Sequence, residues 1–129
     1  MVAAAEPAVE QTVSVDGVLK GLLEYEEILG ALAVTVEGLV MGSAGLVESD
    51  VDVVSLLGAS LVGVAERSTR RMGIGSAIGL SLMTADGMIT VRNGGDFALM
   101  VFSTPCDSTA LHEAMMQPME QIAGVLNPL

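Results

Sequence analysis

The residue types that most often carry chemistry are sparse in this chain. Cys106 precedes a predicted helix, whose dipole can lower a thiol's pKa, and His112 is the single histidine. A nucleophilic cysteine needs an imidazole within hydrogen-bond reach and a third group that orients this imidazole. The sequence shows neither arrangement, so a loop thiol and a surface imidazole are the better interpretation.

Asp50 and Asp52 are candidate ligands for a hard cation. Two carboxylates without further ligands make a weak site, and helix capping explains Asp50. The 129 residues contain no zinc-ligand spacing and no serine nucleophile motif. We therefore predict no catalytic residue, no metal and no cofactor, and we expect that the protein is not an enzyme.

Residues 73–79 contain three glycines, but their spacing does not match a dinucleotide-binding loop. The run also follows a helix and leads into a strand, which is the reverse of the required context. No phosphate loop of the Gly-x-x-x-x-Gly-Lys type occurs, so no nucleotide is predicted to bind in that manner. Arg67, Arg70 and Arg71 precede Gly73, and cations before a terminal glycine are ordinary helix capping. An arginine donated to a nucleotide's phosphates is the alternative, but nothing local would position it.

The bulk charge excludes several classes of partner. Sixteen acids against five Lys and Arg give a formal net charge of −11, which repels nucleic acid and anionic lipid surfaces. The longest uncharged window, residues 72–85, is too short to cross a bilayer. No signal peptide is recognisable, and a single cysteine excludes an internal disulfide. These features predict a cytoplasmic protein without nucleic-acid partners or membrane insertion.

The longest helical pattern covers residues 51–72 and has two apolar rows. One row comprises Val53, Leu57, Leu61 and Val64, and the other comprises Val51, Val54, Gly58, Val62 and Ala65. Together they span about half of the circumference, more than the roughly 100° that packing on one surface requires. We therefore predict that the helix forms the centre of a self-association interface. The predicted interface residues are Val51, Val54, Gly58, Leu61, Val62, Ala65, Ile78 and Leu80. The alternative is a helix buried deep within its own domain.

Strand patterns flank this helix on both sides. The pattern of residues 28–45 predicts a hairpin that turns at Glu37-Gly38, and the pattern of residues 76–103 predicts a three-strand meander. The first and last strands are apolar on both faces, so we expect them to be central neighbours. The predicted fold is α+β, in the order αββαβββα, with a five-stranded antiparallel sheet of order 2-1-5-4-3. We place the long helix on one face and the terminal helices on the other.

The two ends of the chain complete the domain prediction. We expect a flexible arm over residues 1–12 and a single domain over residues 13–127. The first helix is predicted from Ser14 or Asp16 through about Glu27, and its final acids are either solvated or a docking patch for a basic partner. Pro118 predicts a break in the last helix near Gln117, or two short helical pieces.

Within this predicted order of elements, residues 30–43 resemble the hairpin of the roadblock/dynein light chain family. Glu37 stands where the family usually has Asp, and Gly38-Leu39-Val40 matches the residues that follow. The helix ending before Gly73 and the glycine turns of the meander also match, so the likeness covers residues 15–126. It implies a profilin- or longin-like fold and dimers in which the long helices pair and the third strands meet at their edges.

The resemblance also implies a function. Prokaryotic members of the family commonly partner Ras-like small GTPases, and some activate hydrolysis without inserting an arginine. The function expected from it is a homodimeric regulator of such a GTPase that binds no nucleotide itself. The alternative is a noncatalytic scaffold that assembles complexes through the same dimer surface. A ligand pocket between the long helix and the sheet is disfavoured because we expect that space to be filled.

Overall fold

The computed structural model describes residues 14–128, so the prediction of an arm over residues 1–12 lies outside the described residues. Four helices and five strands follow one another along this part of the chain. Their bounds are α1 Val15–Leu22, β1 Ile28–Thr35, β2 Val40–Ala44, α2 Glu48–Arg71, β3 Gly79–Met83, β4 Met88–Asn93, β5 Phe97–Ser103, α3 Ser108–Ala114 and α4 Met116–Leu126.

The five strands form one antiparallel sheet in the order β2-β1-β5-β4-β3, which confirms the predicted order. Strands β1 and β5 lie side by side at the centre, with Leu32 opposite Met100. Both strands are apolar on both faces, and a strand of this kind is stable only where each face is covered. Burying the two together therefore leaves β2 and β3 as the edges.

Helices cover both faces of the sheet. On one face α2 packs over Leu32, Val34, Val91 and Met100. On the other face α1, α3 and α4 pack over a second cluster that contains Leu99 and Val101. The placement of the long helix alone on one face and the terminal helices on the other is confirmed.

The β1–β2 hairpin turns as predicted, with Gly38 at a φ of 94°. A register shift between Ile28 and Gly30 interrupts the alternation at the start of β1. This bulge places Ile28 in the cluster beneath α1, and not on the α2 side with Leu32 as its spacing predicts. Leu29 lies within this bulge and is 57% exposed.

Two helix ends differ from the prediction, and the predicted division of the last helix into two short pieces is confirmed. Helix α1 ends at Leu22, so the acids at 24, 26 and 27 lie in the loop that turns the chain into β1. Helix α2 begins at Glu48 after Val47, which makes no side-chain cap bond, and Asp50 lies inside the first turn. The assignment of Asp50 as a cap is therefore wrong. A break at Met115 separates α3 from α4 and puts Pro118 in the first turn of α4, where its missing N–H costs little.

Candidate self-association surface

One stripe of α2 faces the sheet of its own chain. Val51, Ser55 and Gly58 are buried, and Val62 packs partly against the same core. A Cβ atom at Gly58 would collide with the Sδ atom of Met100. Glycine at this position therefore lets α2 lie close to β5 of its own chain, although Gly58 is among the residues predicted for the self-association interface.

Ser55 joins α2 to the tip of the hairpin. Its hydroxyl Oγ lies 2.8 Å from the carbonyl oxygen of Gly38 and 2.8 Å from that of Asp52, and the side chain is 1% exposed. Ser55 belongs to neither of the two apolar rows of the predicted helix, yet it is buried. The spacing of Val51, Ser55, Gly58 and Val62 is the signal that puts all four on one stripe.

The remaining predicted interface residues lie at different depths. Val54 and Leu80 pack partly against the α2-side core, and Leu61 and Ala65 are half-buried. Ile78 is 67% exposed, just before β3. Large apolar side chains that the prediction did not include are more exposed along α2. They are Val53, Leu56, Leu57 and Val64. The outward apolar row of α2 is thus the row through Leu57, and the row through Gly58 is the one that packs on the sheet.

A groove of ≈ 420 Å³ separates α2 from the β3 side of the sheet. Leu57, Leu61 and Val64 form its helix wall, and Leu82 and Phe102 belong to its sheet wall. Ser60 is the single polar side chain among the residues that line it. The expectation that the space between helix and sheet is filled is wrong on this side, because α2 lies over the central strands and does not reach the edge. We call this groove, together with the edge of β3, the α2–β3 surface.

The two edges of the sheet differ in their accessibility. At the β2 edge, the side chain of Asp16 on α1 accepts a hydrogen bond from the backbone N–H of Ser43 at 3.2 Å. A Cβ atom at Gly42 would also collide with α1 residues. Helix α1 therefore covers part of this edge and occupies one of its free donors.

Within residues 14–128, the outward backbone groups of the β3 edge make no hydrogen bond. The backbone groups on the other side of β3 pair with β4. At the two ends of this ladder, the Asn93 N–H donates to the carbonyl oxygen of Ile78, and the Thr84 N–H donates to the carbonyl oxygen of Gly87. Hydrogen-bonding residues alternate along an antiparallel ladder, so the N–H and C=O groups of Gly79, Ser81 and Met83 point away from the sheet. A strand from another chain could pair with this edge.

Glu66 ties the end of α2 to the start of this edge. Its carboxylate accepts from the Ala77 N–H at 2.7 Å and from the Ser76 hydroxyl at 2.9 Å. These bonds, the Ala77 N–H foremost, lower the pKa of the partly buried Glu66 carboxyl below its usual range. Arg70 lies 3.5 Å from the same carboxylate. The linkage holds β3 at a defined position relative to α2.

Cys106 and His112, the residues considered for nucleophilic chemistry, contact different partners. The Sγ atom of Cys106 lies 3.7 Å from the Ser103 hydroxyl, whereas Nε2 of His112 lies 3.3 Å from the Ser81 hydroxyl. Residues 14–128 contain no group of three or more His, Cys, Asp or Glu side chains placed to hold a metal ion. In the same range, no helix combines the length and the apolar character that spanning a bilayer requires.

Solved structures share this arrangement of elements. A Roadblock/LC7 domain from Streptomyces avermitilis matches with a TM-score of 0.82 at 19% identity, over 88% of this chain and 98% of that one. The chain has the roadblock/LC7 fold. Myxococcus xanthus MglB matches with a TM-score of 0.80 at 14% identity, over 89% and 96% of the two chains. A structure described as MglB with tetrameric arrangement matches with a TM-score of 0.69 at 19% identity, over 95% and 91%. No protein-family model and no curated protein matches the chain.

The roadblock/LC7 fold accounts for the strand order and the position of the long helix. At these identities the likeness extends to the fold alone.

Proposed function

We propose that the chain is a noncatalytic, homodimeric member of the roadblock/LC7 family that regulates a Ras-like small GTPase. The observation that carries the proposal is the α2–β3 surface, where an apolar groove lies beside an open strand edge. A soluble domain exposes a contiguous apolar surface of this kind mainly where another protein covers it.

Two copies related by a twofold axis would cover this surface well. The exposed row around Leu57 of one α2 would enter the groove of its partner, and the two β3 edges would pair through the outward groups of Ser81 and its neighbours. This arrangement agrees with the dimers that the family resemblance implies. It also revises the predicted interface, because Val51 and Gly58 already pack inside their own chain.

The charges on α2 favour an antiparallel pairing of the two long helices. Glu48, Asp50 and Asp52 lie at its N-terminal end, and the exposed Arg67 and Arg71 lie near its C-terminal end. Antiparallel pairing places the acidic end of each helix beside the basic end of the other. Parallel pairing would place like charges together along a helix about 36 Å long.

Regulation of a GTPase is supported by the family resemblance and by the likeness to MglB structures. A Ras-like GTPase carries its own nucleotide and Mg²⁺, so a regulator can act by holding its switch segments in the productive conformation. Such a regulator needs a shaped surface and no catalytic residue. We propose that the outward side of the paired α2 helices forms that surface.

GTP turnover of a Ras-like GTPase encoded beside this chain, or recovered with it in a pull-down, tests the proposal. Wild-type protein should change the turnover rate, and Leu57→Glu should abolish the change because it breaks the dimer. Leu29→Glu is the matched control, since Leu29 is also 57% exposed but lies outside the groove. Complex formation with an unchanged turnover rate would favour the scaffold function instead. No complex and no change in turnover would refute both.

A further inference from the structure

A second groove lies on the opposite face of the sheet from α2, between the loop after α1 and helices α3 and α4. It consists of two adjoining cavities of ≈ 430 and ≈ 260 Å³, which share Tyr25 and Ala114 in their walls. The buried side chains of Leu22 and Leu111 contribute apolar surface to the larger and the smaller cavity respectively. We call the two cavities together the helical-face groove.

The walls of the helical-face groove carry charge of one sign. Glu24 lines the larger cavity, Glu27 and Asp107 line the smaller one, and neither cavity is lined by Lys, Arg or His. Glu24 and Glu27 are exposed, and the carboxylates of both lack an ion-pair partner within the part of the chain that the structure describes. The larger cavity is also lined by the polar side chains of Gln117 and Gln121, whereas the smaller one is mainly apolar. A groove that combines apolar surface with free carboxylates is complementary to a ligand with apolar and cationic side chains.

The carbonyl groups at the end of α1 add partial negative charge to this region, which the exposed Lys20 in the last turn offsets only in part because it lines neither cavity. Helix α1 ends at Leu22, and the backbone N–H of Glu24 donates to the carbonyl oxygen of Gly21 in the last turn. The carbonyl end of a helix carries partial negative charge, so acids placed there oppose the helix dipole. A cation supplied from outside the chain would relieve this conflict, because it would interact with the carboxylates and with the helix end together.

We propose that the helical-face groove binds a basic amphipathic segment of a partner protein. Apolar side chains of the segment occupy the two cavities on either side of Tyr25, and its Lys or Arg side chains lie beside Glu24 and Glu27. The chain's own residues 1–13 have the wrong charge for this role, since they include Glu6 and Glu10 and no Lys or Arg. The groove and the α2–β3 surface lie on opposite faces, so both can be occupied at once.

Chemical-shift mapping with a synthetic peptide tests the proposal on the full chain. The probe is a helical peptide of about twelve residues with Leu on one face and Lys on the other. We expect shifts centred on Tyr25 and Ala114, and a rise in Kd of at least about tenfold between about 50 and about 500 mM salt. The same peptide with every Lys replaced by Glu should cause no shifts at these residues.

Paired variants separate the groove from general charge attraction. Glu24→Gln combined with Glu27→Gln should weaken binding of the basic peptide by about tenfold or more. The matched control is Glu37→Gln combined with Asp96→Asn, which removes the same charge from two exposed turns outside both the groove and the α2–β3 surface and should change Kd less than about twofold. Ala114→Leu keeps every charge but narrows both cavities, and it should also weaken binding while circular dichroism shows an intact fold.

Three results would overturn the proposal. Shifts centred on the α2–β3 surface would place the peptide elsewhere. Equal weakening of peptide binding by the two paired variants would show that binding depends only on the net charge of the protein. Shifts of Tyr25 that grow when the protein alone is concentrated would assign the groove to a second copy of the chain. None of these results bears on GTP turnover, so the proposed function would stand or fall separately.

Discussion

Leu57→Ala should weaken the proposed homodimer without unfolding the protomer. Leu57 is 57% exposed in the isolated chain and lines the groove of the α2–β3 surface. Alanine is the best helix former, so the substitution does not disturb α2 itself. Its effect should therefore appear in the association equilibrium and not in the fold.

The size of the effect follows from the area that the side chain leaves open. Of a leucine's accessible area of roughly 180 Å², about 100 Å² stays exposed at Leu57, and alanine would bury about 60 Å² less of it in a dimer. At about 25 cal/mol per Å² this loss is about 1.5 kcal/mol for each protomer. A twofold interface contains the residue twice, so the dimer should lose about 3 kcal/mol, which raises Kd roughly 150-fold.

Sedimentation equilibrium over a range of concentrations measures this Kd directly. Wild-type protein should approach twice the monomer mass of 13.2 kDa, and Leu57→Ala should dissociate at concentrations where the wild type does not. Leu29→Ala is the matched control, because Leu29 has the same exposure but lies at the bulge that begins β1. The reasoning is refuted if Leu57→Ala leaves Kd unchanged, if both variants weaken the dimer equally, or if the wild type stays monomeric when concentrated.

Substitutions at three further positions test other parts of the structure. Ser81→Pro removes an outward backbone donor from the β3 edge and should raise the dimer Kd measured by sedimentation, whereas Ser81→Ala keeps the donor and should leave Kd near the wild-type value. Burial first, and the charge of Arg92 second, lower the pKa of His112 below its ordinary value. The folded chain therefore binds fewer protons than the unfolded chain, so the free energy of unfolding in urea should fall as the pH drops through about 6.5. His112→Gln should flatten that pH dependence, and an equally steep fall in the variant would contradict the assignment. Ser55→Ala leaves the carbonyl of Gly38 without its hydroxyl donor and should lower the free energy of unfolding by about 1 to 3 kcal/mol, and an unchanged value would show that this bond contributes little.

The strand order was predictable because it depends on which strands are apolar on both faces. β1 and β5 both have this pattern, whereas β4 carries Thr90 and Arg92. Doubly apolar strands must lie where both faces are covered, so a local pattern determines a global order. The hairpin turn at Gly38 and the helix end before Gly73 were also predictable from the local sequence, since each needs a residue that tolerates positive φ.

How deeply each α2 residue is buried could not be predicted from the local sequence. A helical wheel contains two apolar rows, and either can be placed against a sheet. Met100 on β5 decides the matter, because its side chain fills the space that only a glycine at position 58 leaves open. That contact joins residues 42 positions apart along the chain, which no local pattern reports.

The sequence by itself determined the number and order of strands, the presence of one long helix between the hairpin and the meander, and the excess of apolar surface on that helix. These properties follow from periodicity and from residue types that restrict the backbone, which neighbouring residues decide among themselves. The tertiary structure alone decided which row of α2 faces outward, which sheet edge α1 covers, and where the acids after α1 meet the helical-face groove. Each of these depends on contacts between distant segments, whose packing selects one arrangement among several that the local patterns allow.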